Sequence, residues 1–302
     1  MPSRPLIAVL GPTACGKSAL ALELARRFGL EIVNCDSRQV YREMEIGTAK
    51  PGPDERAAVP HHLFDLVGPD ERFSAGEYAR QATACCESLW AAGKVPLLVG
   101  GTGFYYDALV EGLPEDQGNP ALQRDLQERL ESEGLQVLLD ELDRLDPAGA
   151  ASIDRRNPRR VLRALELVLA GGRPLADLRK RHGAIRATPF PILVTLGRET
   201  LHERIARRID AMLSAGLADE ARSLIARFGS DAPGLKSIGY AEWTEPHADE
   251  AAVREAIVAH TRQYAKRQET WFRKRPGGAM HDLGRRETTA DIIKRAEAFL
   301  DR

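Results

Sequence analysis

Residues 5–29 read PLIAVLGPTACGKSALALELARRFG, and the order of three parts within them decides the fold. Leu6–Leu10 is a short apolar run bounded by Pro5 and Gly11, which reads as a buried parallel strand. Gly11–Ser18 fits G-x-x-x-x-G-K-[ST], the loop that wraps phosphates. Behind it, Leu20, Leu24 and Phe28 recur at i, i+4 and i+8 and stop at Gly29, the pattern of an amphipathic helix with a glycine terminator. Strand, loop and helix in this order let successive backbone N–H groups and the helix start converge on one anion. Lys17 adds a point charge and Ser18 a hydroxyl for Mg²⁺. Such loops usually hold ATP or GTP, so the octapeptide by itself suggests a nucleotide site.

The rest of the chain alternates in the same way. EIVNCDS (31–37), HLFDLV (62–67), VPLLVGG (95–101) and FPILVTLG (190–197) read as further strands with helices between them. That alternation predicts a parallel sheet covered on both faces. From Gly112 to about Thr188 the texture turns helical, with Leu122, Leu126 and Leu130 on one stripe and no convincing strand. The expected architecture is an α/β core, 1–113 and 189–302, interrupted by an all-helical insertion, 114–188.

Composition narrows the function classes. The 302 residues are 43% hydrophobic and 29% charged with a formal net charge of −1, an ordinary globular mix, so any polyanion site must be a local patch. Cys15, Cys35, Cys85 and Cys86 form no C-x-x-C pair, which disfavours a structural metal and suits a reducing cytosol. The five-residue apolar run before Gly11 is too short for a signal peptide, and no stretch approaches a membrane span. A soluble, cytoplasmic protein is expected.

Several residues carry candidate chemistry. No carboxylate follows VPLLVGG before Asp107, so a Walker-B acid is missing, with Asp65 a weak substitute inside its run. This disfavours nucleotide hydrolysis and leaves room for a diphosphate that is held and expelled. Asp36 ends the second strand, at the carboxyl edge where α/β sheets bind ligands. It reads as a general base, a Mg²⁺ ligand, or a cap with D-x-x-Q spacing. Gly100–Gly103 (GGTG) gives a tight wall with Thr102 available to a substrate, or mere chain packing. Arg204 and Arg208 share a helix face, to clamp a leaving group or to pair with Glu203 or Asp210. Two basic segments, Arg155–Arg163 and Arg262–Arg275, read as solvated faces or as a footprint for a phosphate backbone. Tyr264, Trp271 and Phe272 beside the second either stack on bases or anchor their helix.

Taken together, GPTACGKS, DSRQVYREMEIGTAKP (36–51), PHHLFD, FSAGEY, PLLVGGTGFY, NPRRVLRALE, LKSIGY and TRQYAKRQ…W resemble the bacterial tRNA dimethylallyltransferase family. The likeness runs in order from about Leu6 to Trp271, and the long DSRQ block is more specific than the phosphate loop. The resemblance implies transfer of a dimethylallyl group from dimethylallyl diphosphate to N6 of the adenosine 3′ of the anticodon, in tRNAs reading codons that begin with U. It implies that Gly11, Pro12, Thr13, Ala14, Cys15, Gly16, Lys17 and Ser18 hold the diphosphate, with Mg²⁺ at Ser18. Asp36 takes the N6 proton; Thr13, Lys17 and Arg208 assist departure of the diphosphate.

The same resemblance assigns the tRNA anticodon stem-loop to Asp36, Ser37, Arg38, Gln39 and Thr102. On the insertion it adds Gln123, Arg159, Arg160, Val161, Leu162 and Arg163, and near the C-terminus Lys236, Ser237, Ile238, Gly239 and Tyr240. A monomer without membrane association is implied. Three positions depart from the family pattern. Glu43 replaces a usual Gly, Cys15 a usual Ser, and Gln123 an arginine that contacts tRNA, for which Arg124 is the neighbouring substitute. The competing classes are a metabolite kinase using ATP, an isopentenyltransferase acting on free adenine nucleotides, and a non-catalytic RNA-binding module.

Overall fold

The computed structural model describes residues 4–114, 119–178, 181–244, 249–275 and 279–301. Met1–Ser3, where the N-terminal stretch begins, lie outside them. The chain divides into two compact units, residues 1–110 with 186–302, and residues 111–185.

The first unit opens with β1 (Pro5–Leu10), α1 (Lys17–Phe28) and β2 (Glu31–Asn34). It continues through α2 (Pro53–Ala58), β3 (His61–His62), α3 (Ala75–Ala91), β4 (Pro96–Gly100) and α4 (Gly103–Val110). Leu6 to Leu10 are fully buried, as a strand covered by helices on both faces must be. Of the expected third strand only His61–His62 pairs with β2. Leu63 and Asp65 adopt positive φ (64° and 57°), which breaks the extended run, and Lys50 and Arg56 hold the Asp65 carboxylate there. After His62 the apolar pattern of HLFDLV is met by a bent segment, in which Val67 makes an isolated parallel bridge to Tyr41.

The second unit carries β5 (Leu113–Pro114), α5 (Pro120–Glu133), α6 (Leu135–Leu145), α7 (Pro147–Ala151), α8 (Pro158–Gly171), α9 (Leu175–Leu178) and β6 (Arg181–His182). Its core is a leucine cluster around Leu126, Leu138, Leu142, Val161 and Leu165, with Leu122 and Leu130 packed at its edge. Asp146 ties two turns of it, its carboxylate accepting from Gly149 N (2.9 Å) and Leu175 N (2.6 Å). The stretch is not strand-free: Leu113–Pro114 pairs antiparallel with Arg181–His182. Two residues per strand are too few to display a period of two, so the sequence could not signal the ribbon.

The chain then returns through β7 (Thr188–Thr195), α10 (Arg198–Ser214), α11 (Leu217–Phe228), α12 (Glu250–Arg273), β8 (His281–Asp282) and α13 (Arg286–Leu300). The sheet order is β3-β2-β4-β1-β7-β8, parallel in every pair among the described residues. The carboxyl ends of β1, β2 and β4 therefore lie side by side, and the phosphate loop, Asp36 and the GGTG segment leave from adjacent strands.

Candidate active site

Glycine is required where the phosphate loop meets its neighbours. A Cβ at Gly11 would lie 2.2 Å from Val194 O, and one at Gly100 would lie 1.9 Å from Cys35 O. Ala14 (φ 62°) and Gly16 (φ 106°) take left-handed backbone, turning the loop into the start of α1. Lys17 donates from Nζ to Pro12 O at 2.6 Å. Burial lowers the Lys17 pKa; nearby Cys15 and Asp36 oppose that shift and Arg208 adds to it.

A cavity of about 440 Å³ opens at this helix start, lined by Gly16, Lys17, Ser18, Arg204, Arg207 and Arg208 among others, with no acid in its wall. A helix N-terminus together with cations can hold an anion. Arg208 donates from Nη1 to Thr13 Oγ1 (3.4 Å), and Arg204 from Nη1 to Cys15 O (3.5 Å). Asp210 is engaged instead by Arg254, whose Nε donates to Oδ1 at 2.5 Å, so the arginine pair faces the loop. Burial lowers the Arg208 pKa, against the raising effect of Asp36.

Asp36 is fixed by its neighbours. Asn34, fully buried, accepts from Asp36 N at Oδ1 (2.9 Å) and donates to Asp36 O and Leu63 O (3.1 and 3.0 Å). One carboxylate oxygen of Asp36 accepts from Arg38 N at 2.9 Å, an Asx turn with no helix following, so the capping reading does not hold. Thr102 Oγ1 accepts from Ser37 N (2.9 Å), joining the DSRQ turn to GGTG. Gln39 donates to Thr48 O and Ala49 O, both at 3.0 Å, and so braces the IGTAKP turn.

Gln268 of α12 joins these parts. It accepts from Thr13 N at Oε1 and donates from Nε2 to Gly101 O, both at 2.9 Å, while 5% exposed. A Cβ at Gly101 would fall 2.1 Å from that Nε2. Sequence reading did not single out Gln268 or Asn34; each is one letter within the blocks TRQYAKRQ and NCDS. Glu220 of α11 is a further omission. Its carboxylate accepts from the N–H groups of Glu45, Ile46 and Gly47 (3.0–3.1 Å) and from Tyr240 Oη (2.6 Å).

A second cavity, about 340 Å³, brings Thr13, Asp36, Arg38 and Arg208 together with Lys236, Ile238 and Gly239. One side is apolar, formed by Ile205, Ile209, Met212, Leu217 and Ile257, and Tyr264 closes another. Tyr264 lies within hydrogen-bond reach of Thr102, and burial pushes its hydroxyl up to about 12.

Not every expected site residue reaches a cavity or surface. Tyr240 is fully buried, its hydroxyl accepting from Gly47 N (3.1 Å), and Ser237 is buried with its hydroxyl donating to Gly234 O. Both carry the LKSIGY turn and leave Lys236, Ile238 and Gly239 at the cavity. In the second unit Val161 is core and Leu162 packs against it, whereas Arg159 and Arg160 are exposed. Gln123 and Arg163 each donate to Glu166 (both 2.7 Å). Asp65 is consumed by Lys50 and Arg56 and is no Walker-B acid. Among the described residues no cluster of His, Cys, Asp and Glu is suited to a metal, and no helix is long and apolar enough to cross a membrane.

Comparison with known proteins agrees with this arrangement. The model of the IPP transferase family matches residues 39–275, and that of the isopentenyl transferases matches residues 5–61. The tRNA dimethylallyltransferase of Roseiflexus castenholzii is 42% identical, the match covering 98% of this chain and 97% of that one. That of Bordetella petrii is 44% identical over 98% of each. The crystal structure of a full-length tRNA isopentenylpyrophosphate transferase from Bacillus halodurans superposes with a TM-score of 0.71 at 34% identity, covering 99% of this chain and 97% of that one. A eukaryotic dimethylallyltransferase captured acting on tRNA gives 0.80 at 27% identity, covering 97% and 78%.

Proposed function

This chain belongs to the IPP transferase family, and we propose that it moves a dimethylallyl group from dimethylallyl diphosphate to N6 of adenosine-37 in tRNAs reading codons that begin with U. One observation carries the reading: Thr13, Asp36 and Arg208 line a single cavity with an apolar wall of Ile205, Ile209, Met212 and Ile257. A diphosphate, a nucleophile's base and a hydrocarbon tail each find a matching surface there.

In the reaction the C1–O bond of the donor breaks and its electron pair leaves with diphosphate. The allylic cation is delocalised, so neutralising the departing charge is the protein's main task. The amides of Gly11–Ser18, Lys17 and Arg208 do this, with Arg208 held against Thr13. The N6 lone pair forms the new N–C bond, and the N6 proton passes to the Asp36 carboxylate. An exocyclic adenine amine is barely basic, so a fixed carboxylate is needed as nitrogen becomes cationic. The Asx turn and Asn34 supply that fixation.

Ser18 is exposed at the loop and the cavity around it lacks acids. That donor set fits Mg²⁺, which keeps waters and takes phosphate oxygens rather than a carboxylate cage. When bound by Ser18 and the diphosphate, Mg²⁺ would supply neutralisation of phosphate charge. The anticodon stem-loop would be met by Ser37, Arg38, Thr102 and Lys236 around the cavity and by Arg159 and Arg160 on the insertion. Action as a monomer completes the proposal, and tRNA modification suits the cytoplasm.

The test is incubation with dimethylallyl diphosphate, Mg²⁺ and unmodified tRNA carrying adenosines 36 and 37, read by nucleoside mass spectrometry. N6-dimethylallyladenosine is expected. Its absence, with turnover of AMP or ATP instead, would refute the reading. Asp36→Ala is expected to lose about 10²-fold or more in single-turnover rate with tRNA binding retained; near-normal turnover would reduce Asp36 to its turn-forming role.

A further inference from the structure

The aromatic residues near the C-terminal basic segment divide into two kinds. Phe272 is fully buried and anchors α12, whereas Trp271 is 44% exposed. A second large apolar side chain, Phe104 at the start of α4, is 51% exposed. The two belong to one place in the fold. A Cβ on Gly103, the residue before Phe104, would lie 2.3 Å from Trp271 Cδ1, so the indole rests directly on the Gly103 backbone.

The same helix face connects this place to the cavity that holds Asp36. Tyr264 and Arg267 line the cavity, with the Arg267 guanidinium 5.8 Å from the Tyr264 ring centroid. Trp271 follows four residues after Arg267, just over one helical turn or about 6 Å farther along the axis. Thr102, which bonds Ser37 at the cavity, is two residues before Phe104. Lys266 and Arg267 are exposed on the same helix, and Lys274 is exposed at its C-terminal cap. The single acid of that segment, Glu269, accepts from Arg273 (2.8 Å) and from Thr195 (3.3 Å). The surroundings of the two rings are therefore cationic.

We infer that Trp271 and Phe104 form a stacking platform at the cavity rim for a nucleotide adjacent to the target adenosine. This rests on the proposed tRNA reaction and adds the contact that holds the loop open beside the flipped base. Exposed aromatic faces among lysine and arginine are what an unstacked base and its phosphate require. Contact with Gly103 fixes the indole before RNA arrives, so little rotamer entropy is lost on stacking.

The experiment compares wild type with Trp271→Ala, Phe104→Ala and Trp271→Phe. The RNA is a synthetic anticodon stem-loop, intact or abasic at the nucleotide on either side of the target. Each alanine variant should raise the KM for the intact RNA about tenfold or more and leave the KM for dimethylallyl diphosphate unmoved. Trp271→Phe should restore most of the loss. The penalty of Trp271→Ala should vanish on one of the two abasic RNAs, which a merely structural role would not produce. RNA should also quench tryptophan emission, and most of that quench should disappear in Trp271→Phe. Thermal midpoints within a few degrees of wild type establish that the variants are folded.

Alanine variants with an RNA KM within about twofold of wild type, or equal penalties on intact and both abasic RNAs, overturn the platform while the prenyl-transfer reading stands. Failure of the wild type to prenylate any of the RNAs overturns that reading itself.

Discussion

Replacing Glu220 is the most direct test of how the site is held. Its carboxylate accepts from Glu45 N and Ile46 N (3.1 and 3.0 Å to Oε2), Gly47 N (3.1 Å to Oε1) and Tyr240 Oη (2.6 Å). Hydrogen bonds to a charged group contribute about 1.5–3 kcal/mol each. The Glu45 amide is solvent-exposed and recovers water, and Gly47 N keeps its bond to Tyr240 Oη (3.1 Å), so about two such bonds are lost outright. Glu220→Ala should therefore destabilise the core unit by about 3–5 kcal/mol. Glu220→Gln, which keeps one acceptor but turns an NH₂ toward a donor, should cost about 2 kcal/mol.

The effect should reach catalysis by a defined route. Gly47 leads into Thr48 and Ala49, whose carbonyls accept from Gln39, three residues from Asp36. Urea unfolding measures the stability change, and hydrogen exchange at Ile46 and Gly47 locates it. Single-turnover rates at saturating substrates then read the catalytic part, in a double-mutant cycle with Gln39→Ala. Glu220→Ala within about 0.5 kcal/mol of wild type, or strict additivity with Gln39→Ala, would refute the reasoning.

Other outcomes follow from the same geometry. Gln268→Leu leaves Thr13 N and Gly101 O without their partner and should destabilise by about 2–4 kcal/mol while raising the KM for dimethylallyl diphosphate; an unchanged KM would detach Gln268 from the loop. Glu43 sits at φ 63°, so Glu43→Gly should be more stable than Glu43→Ala by about 1 kcal/mol, both variants having lost the exposed Arg227 pair; denaturant midpoints decide it. Burial opposes ionisation of Asp65, but the bonds and charges of Lys50 and Arg56 outweigh it and hold the carboxyl below its usual 3.8. The folded pKa is thus depressed, so this stabilisation is present above about pH 4 and fades as pH falls through the folded value. Asp65→Asn should flatten acid unfolding in that window, and an unchanged acid limb would show that the cluster carries no pH-dependent stability.

Glu43 and HLFDLV show where sequence reading stopped. A Gly expected at position 43 is a statement about backbone, and the left-handed φ explains it, but only the fold reveals that Arg227 of a distant helix pairs with the glutamate placed there. HLFDLV has a strand's composition. Lys50 and Arg56, brought in from the preceding turn and helix, draw Asp65 into a positive φ that no apolar pattern encodes. Composition likewise could not divide LKSIGY. Lys236, Ile238 and Gly239 line the cavity, while Ser237 and Tyr240 build the turn behind them.

By itself the sequence determined the parts whose physics is local. The strand-loop-helix of residues 5–29, the alternation that makes a parallel sheet, the leucine stripes of the insertion, and Asp36 at a strand end all follow from spacing along the chain. The tertiary structure alone decided which distant groups meet. Gln268 reaches Thr13 across 255 positions, Arg208 reaches the same threonine across 195, and Glu220 reaches Gly47 across 173. Such contacts leave no period in the sequence, because they form only when separately folded segments are packed against one sheet edge. The glycine-rich loop is legible as a loop suited to anions; that Thr13 and Ala14 share a cavity with a carboxylate and an apolar wall is a property of the packed molecule.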